Sequence, residues 1–471
     1  MKVDYNKVTS ITFDFLNSLL GKDNVFTENE KLIHYGSDET EDLVFKPEVV
    51  VKPDTVQKIS AVLKHCNENN IPVTTRGAGT GLSGGALPIK GGVVLSMEKF
   101  NKILKIDERN LQATVEPGVI NYVFQEEVKK LGLFYPPDPA SWGSCSLGGN
   151  IAHSSGGPKA VKYGTTRDYV LNLEVVLANG DVIWTGANTL KYSTGYNLTH
   201  LMVGSEGTLG IVTKIVFKLI PLPKHDLLML VPFTSAVKAC ESVGAVFRNG
   251  IIPSAMEFME KDAIDWSAKF SGELNFEIKA DWQALLLIEL DGNNLDVLMQ
   301  DCEKISEIMQ LHQSDEILFA DSADQKNALW KIRRKVGEAV KSNSVYKEED
   351  TVVPRAELPE LLSGVKAIGK KYGFQSVCYG HAGDGNLHVN IIKGDLSDKA
   401  WEEDLPKGIT EIFQLCKKLG GTISGEHGIG LVQQKYMPIV FPEHQLNLMR
   451  SIKKVFDPNE ILNPGKIFVT N

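Results

Sequence analysis

Apolar positions in the amino-terminal part of the chain switch between helical and strand spacing. Apolar residues recur every three or four positions over residues 8–20, which predicts an amphipathic helix. Residues 48–51 and 71–75 predict short buried strands, and a polar pair at 54–55 predicts the cap of a helix between them. A β-α-β unit therefore leads the chain into a glycine-rich turn over residues 76–85.

The same alternation returns in the second half of the chain. Strands are predicted at 227–231 and 284–290, and helices near 235–249 and 295–311. The segment Pro221-Leu-Pro223 precedes this pattern, and its two prolines predict a domain boundary.

The glycine-rich turn contains the spacing G-x-G-x-x-G at Gly79, Gly81 and Gly84, and Glu98 lies near the position of a ribose-binding acid. A nicotinamide-binding turn must open a helix. This turn instead leads through a proline and two glycines into a strand predicted at 93–96. We therefore interpret it as a nest of backbone N–H groups for a pyrophosphate, with an ordinary glycine-rich turn as the alternative.

More segments rich in glycine and small hydroxyl residues follow, at 137–150, 153–157, 163–168 and 204–210. Among them, Asn179-Gly180 predicts the tight turn of a β-hairpin. So many backbone amides in one region indicate a long polar ligand bound in an extended form. A dinucleotide fits this pattern better than a simple phosphate.

Histidines and one carboxylate cluster in two windows near the carboxyl terminus. His381 and His388 flank a Gly-Asp-Gly turn, and Glu426 precedes His427 in a second glycine-rich segment. Two imidazoles and a carboxylate are a ligand set for a divalent metal such as zinc, manganese or iron. In this interpretation His427 is not a ligand and can transfer protons. The alternative to a metal site is that these histidines are structural or face the solvent.

Composition restricts the class of protein. A chain of 471 residues with 42% hydrophobic and 23% charged residues is expected to form a soluble protein of two or three domains. The net charge of -9 argues against nucleic-acid binding. The six cysteines are scattered, which predicts reduced interior thiols. We expect a cytoplasmic protein, because no signal segment or run of about 18 apolar residues is present.

The glycine-rich turn, the 138–150 segment, the 204–213 segment and the two histidine windows together resemble the FAD-linked dehydrogenases of the vanillyl-alcohol oxidase superfamily. Within it they resemble the D-lactate, D-2-hydroxyglutarate and glycolate dehydrogenase branch. The resemblance implies an α+β protein whose PCMH-type FAD-binding domain, residues 1–222, contains two α+β subdomains. A cap domain over 223–420, with an antiparallel sheet covered by helices, and a segment over 421–471 that returns to the FAD domain would complete the chain.

The resemblance implies that FAD binds through the glycine-rich segments. Thr80 stands where covalent flavoproteins of the superfamily often have a histidine, so noncovalent FAD is expected, with a thioether to Cys145 as the alternative. The expected FAD contacts are Arg76, Gly77, Ala78, Gly79, Thr80, Gly81, Ser83, Gly84, Pro137, Asp138, Ser141, Gly148, Gly149, Asn150, Ser154, Gly156, Glu206, Gly207, Ile211, Val212, Asn463 and Lys466.

The implied reaction is oxidation of a D-2-hydroxy acid to the 2-oxo acid by hydride transfer to flavin N5. A metal on His381, His388 and Glu426, with zinc the first expectation, would bind the carboxylate and the α-hydroxyl. His427 is the expected general base, because an imidazole titrates near neutral pH. An orienting role for His427 is the alternative.

Three residues are expected to bind substrate. Arg333, on a helix, resembles the family's carboxylate-binding arginine, and Arg334 beside it is expected at the surface. Asn390 shares a strand face with His388. Lys347 resembles a lysine that the 2-hydroxyglutarate branch carries in a Tyr-Lys-x-Asp context.

Two departures from that branch favour a smaller substrate. One extra residue separates Lys347 from Asp350, and Gly337 replaces a small hydroxyl residue. D-lactate is therefore the first expectation. The alternatives are a D-2-hydroxyglutarate dehydrogenase, the flavin subunit of a glycolate oxidase complex, and an electron-transfer or assembly subunit without a substrate.

The resemblance implies a separate electron acceptor: a quinone, an electron-transfer flavoprotein, a cytochrome or an iron–sulfur protein. The protein would then be either free in the cytoplasm or peripherally associated with the membrane electron-transport chain. The oligomeric state is open, with a homodimer as one alternative.

Overall fold

A computed structural model describes residues 4–40, 43–272, 277–320 and 322–469. The chain forms two compact units. The first consists of Met1–Gly156, Thr165–Leu222 and Glu426–Asn471, and the second of Gly157–Gly164 and Pro223–Gly425.

The strands, in chain order, are β1 Val25–Phe26, β2 Val49–Val51, β3 Val73–Arg76, β4 Val93–Ser96, β5 Ile103–Asp107, β6 Gln112–Val115, β7 Leu133–Phe134, β8 Val170–Val176, β9 Val182–Trp184, β10 Ile211–Lys218, β11 Ile220–Pro221, β12 His225–Phe233, β13 Ala255–Glu260, β14 Ala284–Gly292, β15 Leu318–Ala320, β16 Tyr346–Val352, β17 Gln375–His381 and β18 Asn386–Ile392.

The α-helices, in chain order, are α1 Ser10–Leu20, α2 Asn29–Tyr35, α3 Val56–Glu68, α4 Asn121–Lys129, α5 Leu147–His153, α6 Ala160–Tyr163, α7 Leu198–Met202, α8 Ala236–Arg248, α9 Lys261–Ser271, α10 Leu295–Leu311, α11 Ala323–Arg334, α12 Val336–Asn343, α13 Leu358–Tyr372, α14 Leu405–Lys418, α15 Met437–Val440 and α16 Glu443–Phe456.

The first unit contains a four-stranded sheet in the order β1-β2-β4-β3, in which β2, β4 and β3 run parallel. Their side chains are largely buried because α1 and α3 contribute apolar residues to the same core. The Thr55 hydroxyl accepts from the Lys58 amide and caps α3 as predicted. The helices predicted around this sheet are thereby confirmed.

The connection from β3 to β4 confirms that the glycine-rich turn is not a Rossmann turn. Residues 77–92 contain no helix and join two parallel neighbours of the same sheet. Glu98, the residue at the ribose-acid position, instead binds the Tyr35 hydroxyl at 2.5 Å and Lys52 Nζ at 2.7 Å.

A second sheet of the first unit is antiparallel, in the order β5-β6-β10-β8-β9. Asn179 and Gly180 turn β8 into β9 as predicted, and Gly180 has a φ of 88°, which a side chain would strain. The two sheets with their helices give the first unit the two α+β parts that the motif resemblance predicted.

The second unit is built on a seven-stranded antiparallel sheet in the order β15-β12-β14-β13-β17-β18-β16. Helices α9, α11 and α12 pack on one face through a buried core. The antiparallel sheet and the strands and helices predicted over residues 227–311 are confirmed.

Residues 157–164 belong to the second unit, although the sequence alone places them in the first domain. Lys162 Nζ donates to the Asp291 carbonyl oxygen at 2.7 Å, and the Tyr163 hydroxyl donates to the Asp291 carboxylate at 2.8 Å. Lys159 pairs with Glu289 on the same strand. These contacts join residues about 130 positions apart, so local sequence gives no sign of them.

In the part of the chain that the structure describes, no helix combines the length and the apolar character required to cross a membrane.

Candidate active site

The predicted histidines meet on a hairpin of the second unit. In the register of β17 and β18, His381 pairs with Asn386 and Tyr379 pairs with His388. Alternation places Tyr379, His381, His388 and Asn390 on one sheet face. The two imidazoles are buried and lie edge to face with their centroids 5.3 Å apart.

Glu257 on β13 connects this pair to the predicted arginine. It is fully buried, and its carboxylate accepts from His381 Nδ1 at 2.8 Å and from Arg333 Nη2 at 2.7 Å. A carboxylate can only accept, so His381 donates from a protonated Nδ1, and in its neutral form it has its lone pair on Nε2. Glu257 therefore favours the tautomer in which Nε2 of His381 can act as an acceptor or as a ligand.

Arg333 is held by the aromatic ring beside it as well as by Glu257. Its guanidinium carbon lies 5.0 Å from the centre of the Tyr379 ring. Arg334 is exposed and lies over Trp330 instead, which confirms that one arginine of the pair is buried and the other is at the surface. Burial in the first place and Glu348 in the second raise the pKa of Tyr379 well above its ordinary value.

Asn390 lies on the same face and is fully buried. Neither polar atom of its side chain has a hydrogen-bond partner among the described residues, and the same is true of Arg333 Nε. Asn390 affects the pKa of Tyr379, yet no hydrogen bond of normal geometry joins them. Buried polar groups without partners are expected where a polar ligand binds.

Strand β16 borders this face and places Lys347 elsewhere. Glu348 pairs with Asn390 in the register, whereas Lys347 pairs with Ile391 and so points to the opposite face. There its Nζ lies 4.9 Å from the centre of the Trp401 ring. The structure therefore brings Arg333, His381, His388 and Asn390 together, and it does not bring Lys347 to them.

Asp350 anchors the carboxyl-terminal end of the second unit. Its carboxylate accepts from the Gly425 amide at 2.8 Å and from the Ser424 hydroxyl at 2.9 Å. Asn386 Nδ2 also donates to it, at 2.7 Å. The backbone is therefore fixed up to Gly425, the residue directly before Glu426 and His427.

In the first unit, the segment that carries His427 packs on the glycine-rich turn. The Leu431 amide donates to the Ser83 carbonyl at 2.7 Å, and the Ser83 hydroxyl donates to the His427 carbonyl at 3.0 Å. Glu206 accepts from the amides of Ile429 and Gly430 at 2.8 and 2.7 Å. Two of the predicted FAD contacts, Ser83 and Glu206, thus hold the segment of the predicted base.

Asn463 and Lys466 meet the same turn from the carboxyl terminus. Asn463 Nδ2 donates to the carbonyls of Gly85 and Glu206, both at 2.8 Å. Lys466 Nζ donates to the Leu87 carbonyl at 2.5 Å, and burial lowers the pKa of this lysine to about 8. Asn463 and Glu206 both have left-handed backbone conformations, with φ of 42° and 50°. Such strained residues cluster at ligand sites.

The remaining predicted FAD contacts lie in three places. Arg76 Nη1 donates to the Ser37 carbonyl beside the turn at 2.5 Å, and Gly77 lies against Ser146, which caps α5. The turn over 76–84 therefore borders α5. The other predicted contacts in this turn are Ala78, Gly79, Thr80, Gly81 and Gly84. The predicted contacts that precede, form or follow α5 are Pro137, Asp138, Ser141, Gly148, Gly149, Asn150, Ser154 and Gly156. Gly207 precedes β10, and Ile211 and Val212 are its first two residues.

His153 is a further candidate site residue, which the sequence alone did not single out. Its Nε2 is buried without a hydrogen-bond partner among the described residues, and a Cβ atom at Gly85 would lie 3.1 Å from it. This nitrogen, aimed at the glycine-rich turn, fits a polar ligand such as a dinucleotide. The histidine stands within a predicted glycine-rich segment, which was the available signal.

Glu257 was also missed, and its signal is weaker. The strand Ala-Met-Glu-Phe-Met-Glu is apolar apart from its carboxylates, and a carboxylate in a buried strand requires partners. The partners themselves are 76 and 124 positions away (333 − 257 and 381 − 257). Local pattern cannot reveal them.

Comparison with known proteins identifies the family of the chain. Residues 47–186 match the family described as FAD binding domain, and residues 222–467 match FAD linked oxidases, C-terminal domain. The chain belongs to the FAD-linked oxidases, and within them to the family of D-lactate, glycolate and D-2-hydroxyglutarate dehydrogenases that its motifs resemble.

Three relatives span nearly the whole chain. A D-lactate dehydrogenase of Anaerostipes hadrus is 38% identical and covers 98% of both chains. Glycolate oxidase subunit GlcD of Bacillus subtilis is 38% identical over 97% of both. A D-2-hydroxyglutarate dehydrogenase of Stutzerimonas stutzeri is 33% identical over 97% of this chain and 98% of its own.

Among solved structures, p-cresol methylhydroxylase with substrate bound has a TM-score of 0.80 at 23% identity and covers 98% of both chains. The 4-ethylphenol oxidase of Gulosibacter chungangensis has a TM-score of 0.75 at 19% identity and covers 99% of this chain and 98% of its own. These likenesses show the fold, which is the predicted PCMH-type FAD-binding fold.

Proposed function

We propose that the protein oxidises a D-2-hydroxy acid, D-lactate first, to the 2-oxo acid with noncovalent FAD and a divalent metal. The observation that carries this proposal is the buried face of Arg333, His381, His388 and Asn390, on which a guanidinium and an unsatisfied amide lie beside two imidazoles. A small 2-hydroxy acid has a carboxylate and a hydroxyl group that can bind to these side chains. The names of the relatives point to the same substrate class.

FAD, when bound, supplies the acceptor for the hydride and its two electrons. The fit of this cofactor rests on His153 Nε2 beside the glycine-rich turn and on the backbone amides of that turn. Thr80 in the turn and the buried Cys145 thiol, whose pKa is raised by burial, both favour a noncovalent flavin.

His381 and His388 would hold the metal together with Glu426. His388 pairs in register with Asp350, whose carboxylate binds the amide of Gly425, and Glu426 is the next residue along the chain. The proposal of Glu426 as third ligand rests on this connectivity and on the oxygen and nitrogen donor set, which suits zinc first and manganese or iron second. A cation there would supply positive charge that favours loss of the hydroxyl proton.

Substrate binding and proton transfer are carried out by side chains of the protein. Arg333 binds the substrate carboxylate through its planar guanidinium. The side-chain amide of Asn390 forms hydrogen bonds with the same substrate. His427 accepts the α-hydroxyl proton at an imidazole nitrogen as the α-carbon loses its hydride, which leaves the 2-oxo acid. Exclusion of water from this buried face strengthens each polar contact.

A second candidate is the flavin subunit of a glycolate oxidase complex, which the similarity to subunit GlcD favours. In both cases a separate acceptor, such as a quinone, an electron-transfer flavoprotein, a cytochrome or an iron–sulfur protein, would reoxidise the flavin.

Steady-state reduction of an artificial dye by the purified chain tests this function. D-lactate, L-lactate, glycolate and D-2-hydroxyglutarate are compared before metal removal, after it, and after zinc or manganese is restored. We expect turnover of D-lactate that follows metal content. Turnover only after addition of other subunits would favour the second candidate, and equal turnover without metal would contradict the role of His381, His388 and Glu426.

A further inference from the structure

Residues 157–164, which we call the strap, belong to the second unit but are joined at both ends to the first. Hydrogen bonds in the first unit close the base of the strap. The Ser155 carbonyl accepts from the Thr166 amide at 3.0 Å and from the Thr166 hydroxyl at 2.9 Å. The Ser155 amide donates to the Asn150 carbonyl of α5 at 3.0 Å. Both ends of the strap are therefore fixed independently of the second unit.

Charged and hydroxyl groups attach the strap to β14. Lys159 pairs with Glu289, and Lys162 Nζ donates to the Asp291 carboxylate at 2.5 Å. The same carboxylate accepts from the Tyr163 hydroxyl at 2.8 Å. Both carboxylates are buried, and buried ion pairs are screened less by salt than exposed ones. The strap therefore has a defined position on the sheet.

Val161, between these attachments, packs against the turn that joins the two histidines proposed as metal ligands. A Cβ atom added to Gly383 in that turn would lie 2.5 Å from Val161 Cγ2 and 3.1 Å from Val161 Cβ. The φ of Gly383 lies outside the left-handed region. Space for the neighbouring side chain, and not backbone conformation, is therefore the reason for glycine at this position.

The position of this turn determines the geometry of the two imidazoles. The Gly383 amide donates to the Met256 carbonyl at 3.0 Å, and Met256 directly precedes Glu257, the partner of His381. Val161 adds an apolar contact to this hydrogen bond. Ligands of a metal must hold their distances to within about 0.2 Å, so a small shift of the turn would weaken metal binding.

We propose that Val161 is a positioning residue: the attached strap holds its isopropyl group against Gly383 and thereby keeps His381 and His388 at the separation that a divalent metal requires. The strap supplies no ligand to the proposed metal site. This inference rests on the proposed function and deepens it, because it names the contact that shapes the metal-binding hairpin.

Zinc affinity of the purified flavin-loaded protein, measured by competition with a chromophoric chelator, tests this role. Gly383→Ala should weaken zinc binding about tenfold or more, because the new methyl group and the Val161 side chain cannot occupy the same space. Addition of Val161→Ala removes the atom that lies 2.5 Å from this methyl group. The double variant should therefore bind zinc within about threefold of the wild-type protein.

The single variants of Val161 separate its shape from its chemistry. Val161→Ala should weaken zinc binding about three- to tenfold, because the turn loses a contact. Val161→Thr has nearly the same shape and should bind zinc as the wild-type protein does.

Val243→Ala is the matched control, because it removes the same two methyl groups from a buried valine of α8, a helix that carries none of the predicted site residues. It should lower the thermal stability of the protein without a change in zinc affinity.

Wild-type zinc affinity in Val161→Ala, or a double variant that binds zinc no better than Gly383→Ala, would overturn the inference. An equal loss of zinc affinity in Val243→Ala and Val161→Ala would also overturn it, because metal binding would then follow stability alone. If Gly383→Ala does not fold, the comparison of Val161→Ala with Val161→Thr and Val243→Ala still decides. Wild-type protein that binds no zinc would instead contradict the metal site of the proposed function.

Discussion

At the scale of single residues, Glu257 is the group on which two functional side chains depend. Its carboxylate accepts from both His381 and Arg333. In Glu257→Gln, the amide keeps one accepting oxygen and gains a donor, so it cannot hold both partners in the same way. Partners that orient metal-bound histidines typically contribute 10–100-fold to metal affinity or activity. We expect losses of about that size in zinc affinity and in kcat/KM, with FAD still bound.

Glu260→Gln is the control for this variant. Glu260 lies on the same strand and is also buried, but it accepts from Lys366 Nζ and the Cys378 amide instead of His381. Zinc content per bound flavin should fall in Glu257→Gln and stay unchanged in Glu260→Gln. Equal zinc affinity in the two variants would show that Glu257 is only structural.

Lys466 makes the stability of the flavin-free protein depend on pH. Burial lowers its pKa from 10.5 to about 8, so between these values the unfolded chain holds a proton that the folded chain has lost. The free energy of unfolding, relative to Lys466→Met, should therefore rise as pH increases from about 8 to 10.5, by up to about 3 kcal/mol. It should not change with pH below about 7. Urea unfolding of the wild-type protein and of Lys466→Met at several pH values measures the difference between their free energies of unfolding. The same pH dependence in both proteins would contradict a lowered pKa of Lys466.

How much a sequence reveals at this scale depends on the separation of the interacting residues. His381, His388, Arg333 and Asn390 were found because short motifs carry them, and the fold brings them together. Glu257 was not, because its partners are far along the chain. Lys347 remains a predicted substrate ligand whose observed face argues against that role, since a one-residue offset in a strand cannot be judged until the register is known.

At the scale of elements, the segment that carries His427 depends on glycines for its path. Gly430 has a φ of 50°, and a Cβ atom there would lie 2.1 Å from the Ser83 carbonyl oxygen. Gly430→Ala should therefore lower the free energy of unfolding by about 1–3 kcal/mol and displace His427, so that kcat falls.

Gly244, inside α8, is the matched position for comparison. A Cβ atom there meets nothing within 4 Å. Gly244→Ala should stabilise the protein by about 0.5–1 kcal/mol and leave kcat unchanged. Thermal unfolding and steady-state kinetics of both variants measure these changes. A Gly430→Ala variant with the stability and kcat of the wild-type protein would contradict a tight contact between the Gly430 segment and the glycine-rich turn.

Elements were predictable where their determinants are local. The turn at Asn179 and Gly180 and the caps of α1 and α3 follow from two to four neighbouring residues. Membership of residues 157–164 in the second unit was not predictable, because ion pairs and hydrogen bonds to Glu289 and Asp291 decide it. The order of seven strands in the second unit is likewise fixed by long-range pairing.

At the scale of the whole molecule, the six cysteines are buried and free, as their scattered positions predicted. Burial raises the pKa of Cys66 and of Cys416 to about 12, and that of Cys302 to about 11. Few thiolates therefore exist near neutral pH, and a thiol reagent should modify the native protein far more slowly than the unfolded protein. Denaturation of the holoprotein should release all of its FAD, because the flavin is expected to be bound noncovalently. Flavin that stays on the denatured chain would contradict noncovalent binding.

The proposed oxidation requires both bound FAD and the metal, and anaerobic flavin absorbance tests it most directly. Purified holoprotein is mixed in turn with D-lactate, L-lactate, glycolate and D-2-hydroxyglutarate, with and without a chelator, and the same is done for His427→Ala. We predict rapid bleaching of the oxidised flavin by D-lactate that is lost on chelation and in the variant, although FAD stays bound. Flavin that no acid bleaches, or bleaching that persists in His427→Ala, would contradict the account.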